Sequence, residues 1–197
     1  WKEGWNIQSL AKEYGIPKEE ILTTYICKKC LTHEIKPYSG EDQNCRHCGS
    51  EKSQVTTSVG FGITEEQLNE VYNLMDFYCH PFTSGGQEIP IQEAKFTELI
   101  TAVTNYSCGE EQCEEGSGSL PLNWSEYREH QTEFKKASTC PTSIASSIDI
   151  VYNMSPEERK KKGELSRQWA LDNFSVEVVG KKFEEFIDST DCTGYDF

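Results

Sequence analysis

The chain has 197 residues, which is enough for one domain or for one domain with a small satellite. Hydrophobic residues make up 36% of it and charged residues 26%, a balance that allows a buried core and argues against wholesale disorder. The 33 acidic residues against 19 basic ones give a net charge of −14, which repels a phosphate backbone. The one dense basic run, residues 159–162, lies among glutamates. We therefore expect no nucleic-acid partner.

The sequence pattern also argues against membrane insertion and export. No apolar stretch reaches the roughly eighteen residues that a membrane helix needs. The N-terminus lacks the basic, apolar and small-residue succession of a secretory signal. We therefore expect a cytoplasmic protein with no membrane span. Because the first residue is Trp1 and not Met, we also expect either that an upstream segment was removed or that the chain begins partway through a longer gene product.

The first 26 residues carry a helix pattern followed by a strand pattern. A short helix is predicted from Ile7 to Tyr14, and the Gly15-Ile16-Pro17 sequence ends it. The β-branched and aromatic residues at 21–26 then predict a strand. We interpret residues 1–26 as the truncated start of an α/β domain.

Two cysteine pairs follow, Cys27-x2-Cys30 and Cys45-x2-Cys48, separated by fourteen residues. Zinc takes four soft ligands in a tetrahedron, and a tight turn lets both thiolates of such a pair face one ion. Two disulfides are the alternative, but disulfides suit small secreted domains in an oxidising compartment. We predict that residues 27–50 are an inserted zinc ribbon with a structural ion and no open coordination position.

Other potential ligands lie near this ribbon and farther along the chain. We expect His33 and His47 to be bystanders, because four cysteines complete the tetrahedron. The pair Cys108-x4-Cys113 leaves two alternatives open, a second metal or redox pair, or free thiols in a surface loop.

The residues after the ribbon alternate between strand and helix patterns. Thr64 and Gln67 form a capping box at the start of a predicted helix. This order is typical of parallel βαβ construction, in which ligands bind at the carboxyl ends of the strands. The predicted elements are a strand at 55–59, a helix from 64, a strand at 75–80, a helix from 90 and a strand at 99–104.

The last part of the sequence changes to a loop and then to helices. Residues 105–124 are rich in Gly, Ser and acidic residues and predict a long loop. Three helices are predicted after it, at 141–154, 155–173 and 176–187, the second with a Ser-Pro-Glu-Glu capping box. The residues of the last helix expected to face inward are Val179, Phe183, Phe186 and Ile187.

The segment at 80–94 is the candidate for chemistry. It joins a predicted strand end to a helix start through Gly85-Gly86, so that backbone N–H groups can approach an anion, while the helix N-terminus adds about half a positive charge. Glu93, one turn into that helix, is placed to accept two hydrogen bonds from a diol. A sugar nucleotide offers both a diphosphate and a diol. The alternative is a plain surface turn with Glu93 as a helix-surface carboxylate.

This segment resembles the signature of the family 4 glycosyltransferases, roughly P-S-x-x-E-G-F-G-L-P-x-x-E-A. The resemblance extends over about residues 55–190 except the loop at 108–130. It implies a GT-B enzyme, in which two Rossmann-like domains face each other and the C-terminal one binds the nucleotide-sugar donor. The matching residues are Pro81, Gly86, Ile89, Pro90, Glu93 and Ala94.

The resemblance implies that residues 51–190 are most of a donor-binding domain and that 191–197 is a tail. The missing N-terminal domain of the same enzyme would be its partner, the isolated chain would be inactive, and no catalytic metal is expected. By resemblance Glu93 holds the ribose hydroxyls, the backbone near 86–88 holds phosphate and sugar, and Phe61 lies near the base. The implied donor-binding residues are Phe61, Gly85, Gly86, Gln87, Glu88, Ile89 and Glu93; the catalytic residues remain unassigned.

Two positions depart from the family pattern. The signature's first glutamate is replaced by Gly85, and its small glycine is replaced by Glu88. Glu88 could supply the displaced carboxylate from three residues on, or sugar recognition could differ altogether. A different class of function is a zinc-ribbon adaptor for a partner protein, on an α/β domain that has lost catalysis. A dinucleotide oxidoreductase is disfavoured because no G-x-G-x-x-G turn occurs.

Overall fold

The structure is a computed structural model that describes residues 6–58 and 60–190. The chain divides into two compact units, Trp1–Val71 and Tyr72–Phe197. Both combine helices with strands, which confirms the predicted mixed α/β class. The predicted tail at 191–197 and residue 59 of the predicted strand lie outside the described residues.

The first unit contains a three-stranded antiparallel sheet in the order β2-β1-β3. Tyr25 of the central strand pairs with Glu34 on one side and with Thr56 on the other. The elements are α1 (Ile7–Glu13), β1 (Leu22–Cys27), β2 (His33–Pro37) and β3 (Gln54–Thr56), with α2 (Glu65–Tyr72) leading into the second unit.

Buried Tyr25 fixes the loop that follows β2. Its hydroxyl accepts a hydrogen bond from the Ser39 N–H (2.9 Å) and donates one to the Gly40 carbonyl (3.0 Å). Gln43 Nε2 lies 3.4 Å from the same hydroxyl. A buried tyrosine needs such partners for its polar end, and these three residues provide them.

The predictions for this unit are partly confirmed. The first helix, the strand at 21–26 and the Thr64–Gln67 capping box are present. The interpretation of the next strand as the start of a parallel βαβ unit is wrong, because β3 pairs antiparallel with β1. β1 likewise belongs to this antiparallel sheet and not to the parallel one. β2 was not predicted, because its partner residues lie on a different segment of the chain.

The second unit contains a parallel sheet in the order β4-β5-β6, with α3 connecting the first two strands and α4 the next two. β4 pairs Phe77 with Ile100 of β5, and β5 pairs Ala102 with Leu120 of β6. All five residues of β5 are buried, as expected for a central parallel strand. The elements are β4 (Phe77–His80), α3 (Ile89–Phe96), β5 (Ile100–Thr104), α4 (Cys108–Gln112) and β6 (Leu120–Leu122).

The predicted long loop is more ordered than its composition suggests. Residues 105–124 contain α4 and β6, and an antiparallel hairpin of β7 (Trp124–Arg128) and β8 (Lys135–Thr139) follows. The composition indicated a loop because Gly and Ser are frequent in it. Gly109 and Gly118 lie instead where backbones approach each other: a Cβ on Gly118 would come within 2.7 Å of Ser166, and one on Gly109 would collide with the Thr104 carbonyl oxygen.

The unit ends in α5 (Pro141–Tyr152), α6 (Pro156–Phe174) and α7 (Val176–Ser189), as predicted. The capping box of α6 is present, with Ser155 and Glu158 each accepting from the other's backbone N–H. The prediction that the apolar face of α7 packs inward is wrong. The four residues expected on that face are exposed: Val179, Phe183, Phe186 and Ile187.

Candidate functional site

Four cysteine side chains converge in the first unit. Cys27 ends β1, Cys30 lies in the turn before β2, and Cys45 and Cys48 occupy a second turn before β3. Their sulfur atoms all lie within 4.8 Å of one another. The four cysteines can therefore hold one metal ion, as their spacing predicts.

The two cysteine turns share one hydrogen-bond pattern. In the first, Cys27 N–H donates to the Thr32 carbonyl (3.0 Å), and Leu31 N–H donates to the Cys27 carbonyl (2.9 Å). In the second, Cys45 N–H donates to the Ser50 carbonyl (2.9 Å), and Gly49 N–H donates to the Cys45 carbonyl (3.0 Å). The residue after each pair has a positive φ, 60° at Leu31 and 72° at Gly49. The same backbone turn thus presents two sulfur atoms from each side.

The distances between sulfur atoms fit a tetrahedral metal site. Cys27 Sγ lies 3.7 Å from Cys48 Sγ, and Cys30 Sγ lies 3.8 Å from Cys45 Sγ. A tetrahedron with metal–sulfur bonds of about 2.3 Å has edges of about 3.8 Å. A disulfide would require about 2.05 Å, and all four cysteines are free thiols.

Hydrogen bonds to the Cys27 sulfur stabilise its thiolate form. The N–H of Cys30 and the Ser53 hydroxyl lower the pKa of Cys27 to about 5. Ser53 Oγ lies 3.3 Å from the Cys27 sulfur, and the Lys29 N–H lies 3.4 Å from it. Deprotonated sulfur is the form that binds metal.

The two histidines of the ribbon are not needed to complete the cluster. His33 Nε2 instead lies 3.2 Å from Glu70 Oε2. The side chain of His47 is exposed between Cys45 and Cys48. Farther along, Cys108 and Cys113 are free thiols, and Cys113 Sγ lies 3.6 Å from the Val103 carbonyl oxygen.

The second candidate site lies at the carboxyl ends of β4 and β5. We call residues 81–88 the glycine loop; it leaves β4 and enters α3. Glu93, one turn into α3, is half-buried, and its Oε2 accepts a hydrogen bond from the Tyr72 hydroxyl (2.9 Å). Burial and the Glu93 carboxylate raise the pKa of Tyr72, so this hydroxyl stays a donor. Glu93, on the helix that follows the glycine loop, is therefore oriented by Tyr72.

Glu88 lies against Gly85. A Cβ built on Gly85 would collide with Glu88 Oε1, so the Glu88 carboxylate occupies the space that a side chain at position 85 would take. Its Oε2 lies 3.1 Å from His80 Nε2, and Tyr78 OH lies 3.0 Å from His80 Nδ1. A carboxylate only accepts, so His80 Nε2 carries a proton and donates it to Glu88.

Hydrogen bonds to three neighbouring segments fix the glycine loop. Phe82 N–H donates to Thr104 Oγ1 (3.0 Å), and Ser107 Oγ donates to the Gly85 carbonyl (2.8 Å). From the hairpin, Ala137 N–H donates to the Thr83 carbonyl (2.8 Å). The loop thus carries hydrogen bonds from β5, from the residue before α4 and from β8.

Sequence analysis missed several of these residues. Tyr78, His80 and Phe82 alternate along the chain, and this spacing could have placed them on one face of the strand. No local signal indicates Ser107, because its partner lies 22 residues earlier.

The predicted donor residues fall in both units. Six of them follow β4 and begin α3; of these, Gly85, Glu88 and Glu93 are half-buried, and Gly86, Gln87 and Ile89 are exposed. Phe61 belongs to the first unit, where Lys28 Nζ lies 5.7 Å from the centre of its ring. Its role near a base stays a prediction.

An open cleft of about 330 Å³ lies at the opposite end of the sheet. Its lining includes Asp76, just before β4, and Leu99, just before β5. It also includes Arg159, which lies 3.8 Å from Asp76 as an ion pair. Tyr72, whose hydroxyl binds Glu93, lines this cleft as well, so the cleft and the candidate site share that tyrosine.

Comparison with known proteins gives no match to a family model, a curated protein or a solved structure. Within residues 6–58 and 60–190, none of the helices has the length and apolar character needed to cross a membrane.

Proposed function

We propose that residues 72–190 are the donor-binding part of a GT-B glycosyltransferase, which transfers a sugar from a nucleotide-sugar to an acceptor. The observation that carries this proposal is the placement of Glu93, half-buried and held by Tyr72 one turn into the helix that follows the glycine loop. Open α/β sheets bind ligands at this edge. The acceptor would be held by a second α/β domain of the same enzyme, and no residue is assigned as catalytic.

The proposed roles follow from the chemistry of a sugar nucleotide. Glu93 accepts hydrogen bonds from the two ribose hydroxyls. The N–H groups of Gly86 and Gln87, together with the N-terminus of α3, face the diphosphate and stabilise its charge as it leaves. This chemistry depends on positioning and electrostatic stabilisation, and it uses no catalytic metal.

We assign Glu88 to the sugar. Its carboxylate lies beside Gly85 and is paired with His80 Nε2. Two like charges at about 4 Å repel by about 1 kcal/mol even in water, so a carboxylate facing the diphosphate would weaken binding. The pairing with His80 directs the carboxylate toward position 85 and leaves it available to accept from sugar hydroxyls.

The experiment is calorimetric titration of the full chain with UDP-glucose, GDP-mannose and ADP-glucose, and with the matching nucleoside diphosphates. Glu93→Gln is expected to weaken both kinds of ligand about tenfold or more, because hydrogen bonds to a charged acceptor are lost. Glu88→Gln is expected to weaken only the nucleotide-sugars. Glu184→Gln, on exposed α7, is the charge-matched control. Absence of binding to every nucleotide-sugar, or a Glu93→Gln protein that binds like wild type, overturns the proposal.

We infer further that the ion of the four cysteines is zinc and that its role is structural. Four thiolates leave no open position for substrate, and the sulfur spacing suits zinc. A reducing cytoplasm would keep these thiols free. Elemental analysis of the purified chain should give one zinc per molecule, and Cys45→Ser should abolish it. Retention of zinc in that variant contradicts the assignment.

A second candidate function, an adaptor for a partner protein, is favoured by the charge of the cysteine turns. Lys28, Lys29 and Arg46 are exposed there, with Lys28 also 3.3 Å from Asp42, in a chain whose net charge is −14. Such a surface suits an acidic protein segment. No response to any nucleotide-sugar, combined with binding of a poly-glutamate peptide that depends on Cys27 and Cys45, would favour the adaptor over the transferase.

A further inference from the structure

Lys95 is a buried lysine on α3 whose side chain is fully excluded from solvent. Its Nζ donates to the Ser117 carbonyl (2.7 Å) and to the Gln112 carbonyl (3.2 Å). The ammonium group also lies 4.3 Å from the centre of the Trp169 ring of α6. In the described part of the chain no carboxylate forms an ion pair with it. Its contacts are therefore all to the backbone of one segment and to one aromatic ring.

That segment, residues 107–118, contains α4 and is held at three places. At its start, Gly109 packs so closely on the end of β5 that a Cβ would collide with the Thr104 carbonyl oxygen. At its end, Gly118 lies against Ser166, where a Cβ would come within 2.7 Å of the backbone. Lys95 makes the contacts between these two places.

Ser107, the first residue of the segment, has an unusual backbone conformation. Its φ is 56° and its ψ is −132°, a combination that non-glycine residues rarely adopt and that surrounding structure must hold in place. Its hydroxyl donates to the Gly85 carbonyl. One hydrogen bond of the glycine loop therefore comes from Ser107, whose unfavourable backbone conformation must be stabilised by the surrounding residues.

We propose that Lys95 is a positioning residue of the donor site, which fixes the 107–118 segment and thereby holds Ser107 against the carbonyl of Gly85. The proposal rests on the proposed function of the glycine loop. Lys95 does not touch the ligand. It acts through α4, because both carbonyls that it binds lie between the last residue of that helix and Gly118.

The first part of the test is independent of any ligand. Hydrogen exchange of the full chain is compared between wild type, Lys95→Met and Val151→Ala, which removes buried apolar atoms from α5. Lys95→Met should increase exchange of the amides at 107–118 at least about tenfold, because two carbonyls lose their donor. Val151→Ala should leave that segment protected. Equal exchange of the segment in wild type and Lys95→Met overturns the proposal.

The second part is a double-mutant cycle on donor affinity, read by calorimetry with the nucleotide-sugar that wild type binds best among UDP-glucose, GDP-mannose and ADP-glucose. Ser107→Ala and Lys95→Met should each weaken binding about tenfold, and the double variant should be no weaker than Lys95→Met alone. Additive losses, or a loss in Val151→Ala of the same size, would indicate a merely structural lysine and overturn the proposal. Should Lys95→Met not fold, Lys95→Gln, whose amide keeps one donor, takes its place.

The two parts separate this proposal from the one on which it rests. If wild type binds none of the three nucleotide-sugars, the proposed function fails and the positioning role at a donor site falls with it, even when exchange shows that Lys95 orders the segment. If wild type binds a nucleotide-sugar but the affinity losses of Ser107→Ala and Lys95→Met add in the double variant, the proposed function stands and the positioning role of Lys95 is wrong.

Discussion

The first unit has a small core that includes two of the four clustered cysteines, whereas the second unit has a larger core built mainly from aliphatic residues. Around β1, the fully or nearly fully buried residues include Cys27, Cys45, Ser53 and Gln54. Around β5, an unbroken run of buried residues from Ile100 to Thr104 is covered by apolar residues of the neighbouring elements. Burial of apolar area is the main favourable term in folding. Because the second unit buries more apolar residues, it gains more stabilisation from this term. The first unit has a smaller core and a cluster of four cysteines that can hold an ion.

This difference predicts unequal responses to removal of metal. A structural zinc ion contributes an apparent ~10 kcal/mol or more to the folding of small domains. Treatment of the chain with a strong chelator should therefore unfold the first unit and leave the second folded. Hydrogen exchange should show lost protection at Tyr25 and Ile26 and retained protection at Ala102 and Val103.

Two cysteine variants provide the control for chelation. Cys45→Ser should reproduce the chelator's effect, because it removes a ligand. Cys79→Ser should not, because that half-buried thiol lies in β4. Unchanged protection of the first unit after chelation would contradict a structural ion, and equal loss in both units would show that the two units do not unfold separately.

The reverse perturbation should affect the second unit only. Ile100→Ala removes a side chain that is 2% exposed and should lower the free energy of unfolding of that unit by about 3 kcal/mol. Urea unfolding followed by circular dichroism measures this loss, and elemental analysis should still find one zinc. Ile148→Ala, on an exposed face of α5, should cost less than about 0.5 kcal/mol. Loss of zinc in Ile100→Ala would contradict the assignment of separate stabilising forces.

Within residues 72–190 the second unit buries one charged side chain, Lys95, and this lysine should make stability depend on pH. Burial lowers the pKa of Lys95 to about 7, with the Cys113 thiol acting in the opposite direction and Lys162 in the same one. An unfolded lysine titrates near 10.4, so above about pH 7 the unfolded state binds more protons than the folded state. The unit should therefore become more stable as pH rises from about 7 to about 8.5.

Above that range, other groups reverse the trend. Burial raises the pKa of Cys113 to about 11, and burial with the Glu93 and Glu88 charges raises the pKa of Tyr78 to about 12. These groups stay protonated in the folded unit and lose a proton more readily when unfolded, so their contribution falls with increasing pH. Urea unfolding at pH 6.5, 7.5 and 8.5 should show the rise in wild type and not in Lys95→Met. An increase of the same size in the free energy of unfolding of Lys95→Met would show that another group causes the pH dependence.

The contrast between the units also explains what sequence could predict. The cysteine cluster was predictable because each Cys-x2-Cys turn brings two ligands together locally, and α6 was predictable because Ser155 and Glu158 cap it within four residues. The antiparallel pairing of β3 and the hydrogen bond of Ser107 to Gly85 were not, because their partners lie far away in the chain. A lysine at position 95 gives no local signal of burial, since helical position alone does not show which residues will cover it. The same holds for α7, whose apolar pattern was recognised but whose exposure was not.

The smallest expected effects lie within the metal unit and test whether the ion alone determines the cysteine turns. Leu31 and Gly49 occupy matching positions with φ of 60° and 72°. A side chain there costs about 1–2 kcal/mol, and glycine loses about 0.5–1 kcal/mol more entropy on folding. Leu31→Gly should therefore stabilise the zinc-loaded unit by about 0.5 kcal/mol and Gly49→Ala should destabilise it by a similar or slightly larger amount. Thermal unfolding at fixed free zinc measures both. Shifts of the same sign would show that the two turns differ once metal is bound, whereas opposite signs show that one backbone geometry is required on both sides of the ion.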